Sequence, residues 1–124
     1  MRLFDPRQAK GRRAENAAVK ALKSRGYRIL HRNYRHRLGE IDVVAEDGDV
    51  LAFVEVRSKT QGGPVNPIES IGPAKRRRLA TLAHLYLERE RIRERPCRFD
   101  VVEVILSLEG KVSSVEILPD AFSA

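Results

Sequence analysis

Apolar and polar residues alternate most regularly between residues 39 and 57, where GEIDVVAEDGDVLAFVEVR keeps a period of two on either side of Asp47-Gly48-Asp49. Two such runs around a Gly-Asp loop predict a β-hairpin with arms over 40–46 and 50–56. In the first arm Ile41, Val43 and Ala45 should share one face, and Glu40, Asp42, Val44 and Glu46 the other. In the second, Leu51, Phe53, Glu55 and Arg57 join the acidic face, while Ala52, Val54 and Val56 make the opposite face apolar too. An arm apolar on both faces reads as a central strand covered from both sides. A loop centred between Gly48 and Asp49 sets Asp47 opposite Val50, Asp42 opposite Glu55 and Glu40 opposite Arg57.

The remaining elements frame this hairpin. Ala14, Ala18, Val19, Ala21 and Leu22 fall on one side of a helix predicted over 7–25, opened by Asp5-Pro6 and closed by Gly26. Residues 27–34 read as a strand. The stretch TQGGPVNPIESIG, residues 60–72, has no periodicity and predicts a long connection, either a flap beside the acidic residues or a plain crossover. Pro73 opens a second helix predicted to run to Arg93, with Leu79, Leu82, Ala83 and Tyr86 inward and Lys75 one turn before Leu79. Strands over 98–106 and 112–118 complete the order α-β-β-β-α-β-β. A chain of 124 residues is one domain, 1–124, and this order predicts an α/β fold in which a central mixed sheet is flanked by helices.

The hairpin register carries the first chemistry. Directly opposed residues have Cβ atoms roughly 4.5–5.5 Å apart, so Asp42 and Glu55 would repel each other unless something compensates them. A hard divalent cation, Mg2+ or Mn2+, takes oxygen ligands from one or two carboxylates and fits that need. Glu15 borders the apolar stripe of the first helix, where a solvated flank is the simpler reading.

Charge then adds a partner. Lys and Arg total 24 against 17 Asp and Glu, a formal +7, and the pI is about 10.1. A polyanion is the expected partner. Arg12, Arg13, Arg35, Arg37, Lys59, Arg76 and Arg77 are the candidate nucleic-acid contacts, with solvated helix and strand faces as the alternative. The basic first turns of both helices oppose the helix dipole unless an anion lies nearby.

Other classes are disfavoured. No run approaches membrane-spanning length, no apolar segment backs the basic N-terminus as a secretory signal would, and no amphipathic stretch suits a bilayer surface. The single Cys97 excludes an intramolecular disulfide and a multi-cysteine zinc site, and a reducing, cytoplasmic location is expected. His31, His36 and His84 lack a zinc-ligand spacing, and Gly62-Gly63 is not followed by the rest of a phosphate loop. Four Phe, three Tyr and no Trp do not furnish an RNA-stacking sheet.

Taken in order, AENAAVKAL, GEIDVVA, FVEVRSK and RFDVV resemble the PD-(D/E)xK nuclease superfamily. The resemblance is closer to the YraN-type bacterial family of predicted endonucleases, itself similar to archaeal Holliday-junction resolvases, and it covers nearly the whole chain. It implies a restriction-endonuclease-like fold and magnesium-dependent hydrolysis of DNA phosphodiesters, with branched DNA such as Holliday junctions as a substrate class. Asp42 and Glu55 would be the metal ligands, with the Val56 carbonyl a third. Glu15 would touch the metal through water or orient its ligands, and Glu40 would be an auxiliary acid. Paired incisions of a junction would imply a homodimer. The chain departs from the pattern at Arg57, where a lysine is expected. A lysine can give up its proton, whereas an arginine stays charged and cannot act as a base. Either Arg57 stabilises transition-state charge with Lys75 or Lys59 as the substitute lysine, or the chain is a nucleic-acid-binding protein that keeps the fold without catalysis.

Overall fold

The computed structural model describes residues 6–62 and 71–123, with side chains from residue 11 onward. The elements are α1 (Pro6–Ser24), β1 (Arg28–His36), β2 (Gly39–Asp47), β3 (Val50–Thr60), α2 (Pro73–Arg89), β4 (Cys97–Leu106) and β5 (Val112–Phe122). Their order and type are those read from the sequence. Asp5 and most of the long connection, residues 63–70, lie outside the described residues, and with them the expected flap.

The five strands lie in sequence order in one sheet. All neighbours are antiparallel except β3 and β4, which run parallel across the crossover that carries α2. The helices cover opposite faces. Ala14, Ala18, Val19 and Leu22 of α1 pack on Val43, Ala45, Ala52, Val54, Val102 and Val104. Leu79, Leu82, Ala83 and Tyr86 of α2 pack on Val44, Leu51, Phe53 and Val101. Strand β3, buried on both faces, is the centre of the sheet, as its two-faced apolar pattern required.

Both helices stop in the same way. At the end of α1, Gly26 has φ +97 and the Tyr27 and Gly26 N–H groups donate to the carbonyls of Leu22 and Lys23. At the end of α2, Arg91 has φ +55 and the Ile92 and Arg91 N–H groups donate to Leu87 and Glu88. These are Schellman caps, one with the usual glycine and one with an arginine in the left-handed region. Lacking a glycine, the second stop was invisible in the charged run ERERIRER, and α2 ends at Arg89 instead of Arg93. Strand β5 correspondingly outruns its expected end at Leu118 and reaches Phe122.

The hairpin keeps the predicted register from Asp47↔Val50 to Val43↔Val54 and there the ladder ends, one step short of Asp42 and Glu55. Beyond that point β2 stays with β1, through Ile41↔Tyr34 to Gly39↔His36, while β3 stays with β4 as far as Thr60↔Leu106. The sheet therefore forks. Beside the fork, in β1, Asn33 takes φ +54 and is skipped between Arg32↔Val43 and Tyr34↔Ile41, with the register unchanged across it; the register shift of this strand pair lies earlier, between Ile29 and His31. That left-handed residue reverses the alternation in both strands. Tyr34 and His31 both set their rings edge-on to Tyr86, at 5.2 and 5.3 Å between centroids. In β2, Ile41 joins Val44 on the α2 side instead of sharing a face with Val43 and Ala45, as simple alternation had required.

Candidate active site

Asp42 and Glu55 stand at the opening of the fork. The Val56 N–H, which has no β2 carbonyl to pair with, donates to Asp42 Oδ2 at 2.7 Å. Glu55 is 7% exposed, and its Oε1 accepts from Lys75 Nζ at 3.0 Å. Lys75 reaches it because α2 starts at Pro73, after an extended Gly72, so the first turn brings its ammonium to the middle of β3. These side chains border a cavity of about 270 Å3 with Glu40, Asp42, Glu55 and Val56 on the sheet side, Lys75 and Arg78 on the helix side, and Leu79 and Leu82 supplying its apolar surface.

The acidic groups are poorly compensated. The Asp42 carboxyl is pushed up from 3.8 to about 7, first by burial and next by the charge on Glu55; the Val56 hydrogen bond pulls it down, and Glu40 and Glu15 add to the rise. Glu15 is thus no solvated flank. Its Oε1 is buried without a hydrogen bond among the described residues, and Arg32 Nη2 lies 3.8 Å away. The acidic side chains bordering the cavity are the carboxylates of Glu40, Asp42 and Glu55, oxygen ligands of the kind that suits Mg2+ or Mn2+. Among the described residues no three His, Cys, Asp or Glu side chains gather to hold a metal. Asp42 and Glu55 would therefore supply two ligands, and the Val56 carbonyl, water and substrate the others.

The remaining candidates divide. Arg57 sits opposite Glu103 in the parallel ladder, and Lys59 Nζ lies 3.3 Å from Glu103 Oε1, turned toward β4. Neither borders the cavity, so Lys75 is the lysine the fold brings to it. Arg12, Arg37 and Arg77 are exposed. Arg35 Nε lies 3.5 Å from Glu40 at the surface. Arg13 and Arg76 have internal tasks: Arg13 Nη1 donates to the Gly110 carbonyl at 2.9 Å, and Arg76 donates to the Ile71 carbonyl at 2.9 Å with its guanidinium over the Phe122 ring. Arg78 was not singled out, although its place three residues after Lys75 puts it on the same helix face.

A second buried acid lies nearby. Asp100, aligned with Val54 in the parallel ladder, has no exposed surface. Its Oδ1 accepts from Arg98 Nε at 2.8 Å and the Asp120 N–H at 2.9 Å. Its Oδ2 accepts from the Tyr27 hydroxyl at 2.8 Å and Arg98 Nη2 at 3.2 Å. Arg98 also reaches Asp47 at 2.6 Å. Burial and the Asp100 charge push the Tyr27 hydroxyl up to about 12, which keeps it protonated and donating.

A five-stranded mixed sheet with one helix on each face, forked at its centre around two carboxylates, defines a restriction-endonuclease-like α/β protein. Residues 14–104 match the family described as "Uncharacterised protein family UPF0102". Relatives named UPF0102 protein are similar over nearly their full lengths. That of Moorella thermoacetica is 45% identical over 94% of this chain and 97% of its own. That of Pelotomaculum thermopropionicum is 45% identical over 97% and 100%, and that of Anaeromyxobacter dehalogenans 47% over 95% and 87%. The chain belongs to the UPF0102 family, the YraN-like group. No helix among the described residues is long and apolar enough to cross a membrane.

Proposed function

We propose that this protein is a metal-dependent endonuclease that hydrolyses phosphodiester bonds in DNA, with branched DNA as the favoured substrate. The observation that carries the reading is the convergence of Asp42, Glu55 and Lys75 on one cavity at the fork of the sheet. When bound by the two carboxylates, Mg2+ or Mn2+ supplies polarisation of a phosphoryl oxygen and a water of lowered pKa. The chain's own groups do the rest. Val56 fixes the orientation of Asp42 through its N–H. Lys75, held by Glu55, brings an ammonium to the phosphate and, unlike Arg57, can release a proton. Glu15, on α1 and outside the cavity's lining, acts on Asp42 through its charge, and Glu40 stands at the cavity's edge as an auxiliary acid. Arg57, farther along β3, adds positive charge along the path of the strand.

The test is incubation of the purified protein with a four-way DNA junction and a linear duplex, in Mg2+ or Mn2+. Nicking is expected and Asp42→Asn should abolish it; undiminished cleavage by that variant sinks the assignment. Sedimentation of the protein with the junction tests the homodimer that paired incisions require. Arg57 favours a second reading, a nucleic-acid-binding protein without hydrolysis. On that reading binding falls steeply with salt, no metal supports cleavage, and Arg57→Lys gains activity.

A further inference from the structure

Of the basic run at 75–78, the structure turns only two members to the cavity, Lys75 and Arg78. Lys75 is engaged with Glu55. Arg76 is engaged with the Ile71 carbonyl and the Phe122 ring. Arg78 differs from both, because its guanidinium makes no hydrogen bond or ion pair among the described residues, although the same cavity is bordered by Glu40, Asp42 and Glu55. An arginine used only to neutralise this acidic wall would contact it. An arginine held beside the wall without touching it is placed for an anion that enters the cavity.

The backbone opposite lies close to its stem. Gly39, at the start of β2, has φ +141, a conformation that favours glycine. A Cβ there would lie 3.4 Å from Arg78 Cδ and 3.5 Å from Leu82 Cδ1, within ordinary van der Waals contact, so the tip of β2 lies directly against the arginine's stem. Arg78 therefore lies between the tip of β2 and the second turn of α2, at the border of the cavity. The guanidinium is a planar fork of donors that matches two phosphate oxygens at once.

We propose that Arg78 binds a backbone phosphate of the nucleic-acid strand lying in the cavity, next to the phosphate that Lys75 meets at the carboxylate end. The inference rests on the nuclease reading for the identity of the ligand. It is tested by binding in the absence of metal, so that the two can fail separately.

The experiment measures fluorescence anisotropy of a labelled four-way DNA junction and a linear duplex with the whole protein, in EDTA, over a series of salt concentrations. Arg78→Ala should weaken binding about tenfold at low salt and make the log–log salt slope less negative by about 0.9, the signature of one lost phosphate contact. Arg78→Lys should restore part of the affinity. Lys23→Ala, which removes the same charge from the exposed last turn of α1, should leave the slope unchanged. Equal losses for Arg78→Ala and Lys23→Ala, or no binding of DNA by the native protein, overturn the proposal. DNA bound through Arg78 but never cleaved with Mg2+ or Mn2+ upholds the proposal and overturns the nuclease reading.

Discussion

Asp100 and Asp42 are one register step apart across the centre of the sheet, yet they are treated in opposite ways. Asp100 is fully buried and surrounded by donors from Tyr27, Arg98 and Asp120. Among the described residues Asp42 has one donor, the Val56 N–H, and faces the charges of Glu55, Glu40 and Glu15. A carboxylate buried for architecture has its lone pairs filled by the protein, because an unsatisfied buried charge is costly. A carboxylate left short of donors among other carboxylates works against stability, which is the usual mark of a functional site. Burial alone does not separate the two; the count of donors does.

Four experiments sharpen or break that contrast. The largest effect is expected from Asp100→Ala, which takes the acceptor from the buried Tyr27 hydroxyl and the Asp120 N–H, leaves Arg98 paired with Asp47, and should cost about 3–5 kcal/mol in urea unfolding. A loss below about 1 kcal/mol would remove the distinction. Asp42→Asn should act in the opposite direction, keeping an acceptor for Val56 while removing a repelled charge. Because the native carboxyl titrates near 7 and an unfolded one near 3.8, Asp42 adds stability in acid, and that contribution is lost as pH rises through 7. The variant should therefore be more stable than the native protein at pH 8, by a few kcal/mol at most, with the gap closing toward pH 4. Mn2+ at 100 times its dissociation constant should stabilise the native protein by about 2.7 kcal/mol and leave Asp42→Asn unmoved in a melting experiment. The smallest effect is expected from Asn33→Val, where a β-branched residue in the left-handed region costs about 1–3 kcal/mol. It should also weaken Mn2+ binding by disturbing the strand pair beside the fork, whereas Asn33→Gly should preserve both.

The element order, the two-faced burial of β3 and the hairpin register were legible because each follows from local patterning: period two, period 3.6 and a two-residue turn. What escaped the sequence was every place where a strand or helix departs from its ideal form. The face switch at Asn33 and Asp42 moves Ile41 to the α2 side, and an unbroken alternation has no means of signalling it. The arginine-capped end of α2 escaped for the same reason. Asp42 and Glu55 were read as a ladder pair, but they converge where the ladder has already parted. The Asp100 cluster was not legible at all as a network, since Tyr27 and Asp100 are 73 residues apart and nothing local marks Tyr27 as the partner of Asp100. Arg78 was hidden among equal neighbours until the packing of α2 gave each member of the run a different surrounding.

The same separations carry a consequence for the order in which the molecule assembles. The Asp42–Val56 bond spans 14 residues and the Glu55–Lys75 bond 20, so the acidic cavity closes through short loops. The Tyr27–Asp100 bond closes a loop of 73, and such closures lose more chain entropy and come later. On a chain emerging from its N-terminus, the repelling carboxylates are gathered as soon as α2 is complete, while Tyr27 stays unpartnered until β4 and β5 arrive. The cavity is thus lined wholly from residues 39–82, whereas the Asp100 cluster ties Tyr27 to residues of β4 and β5.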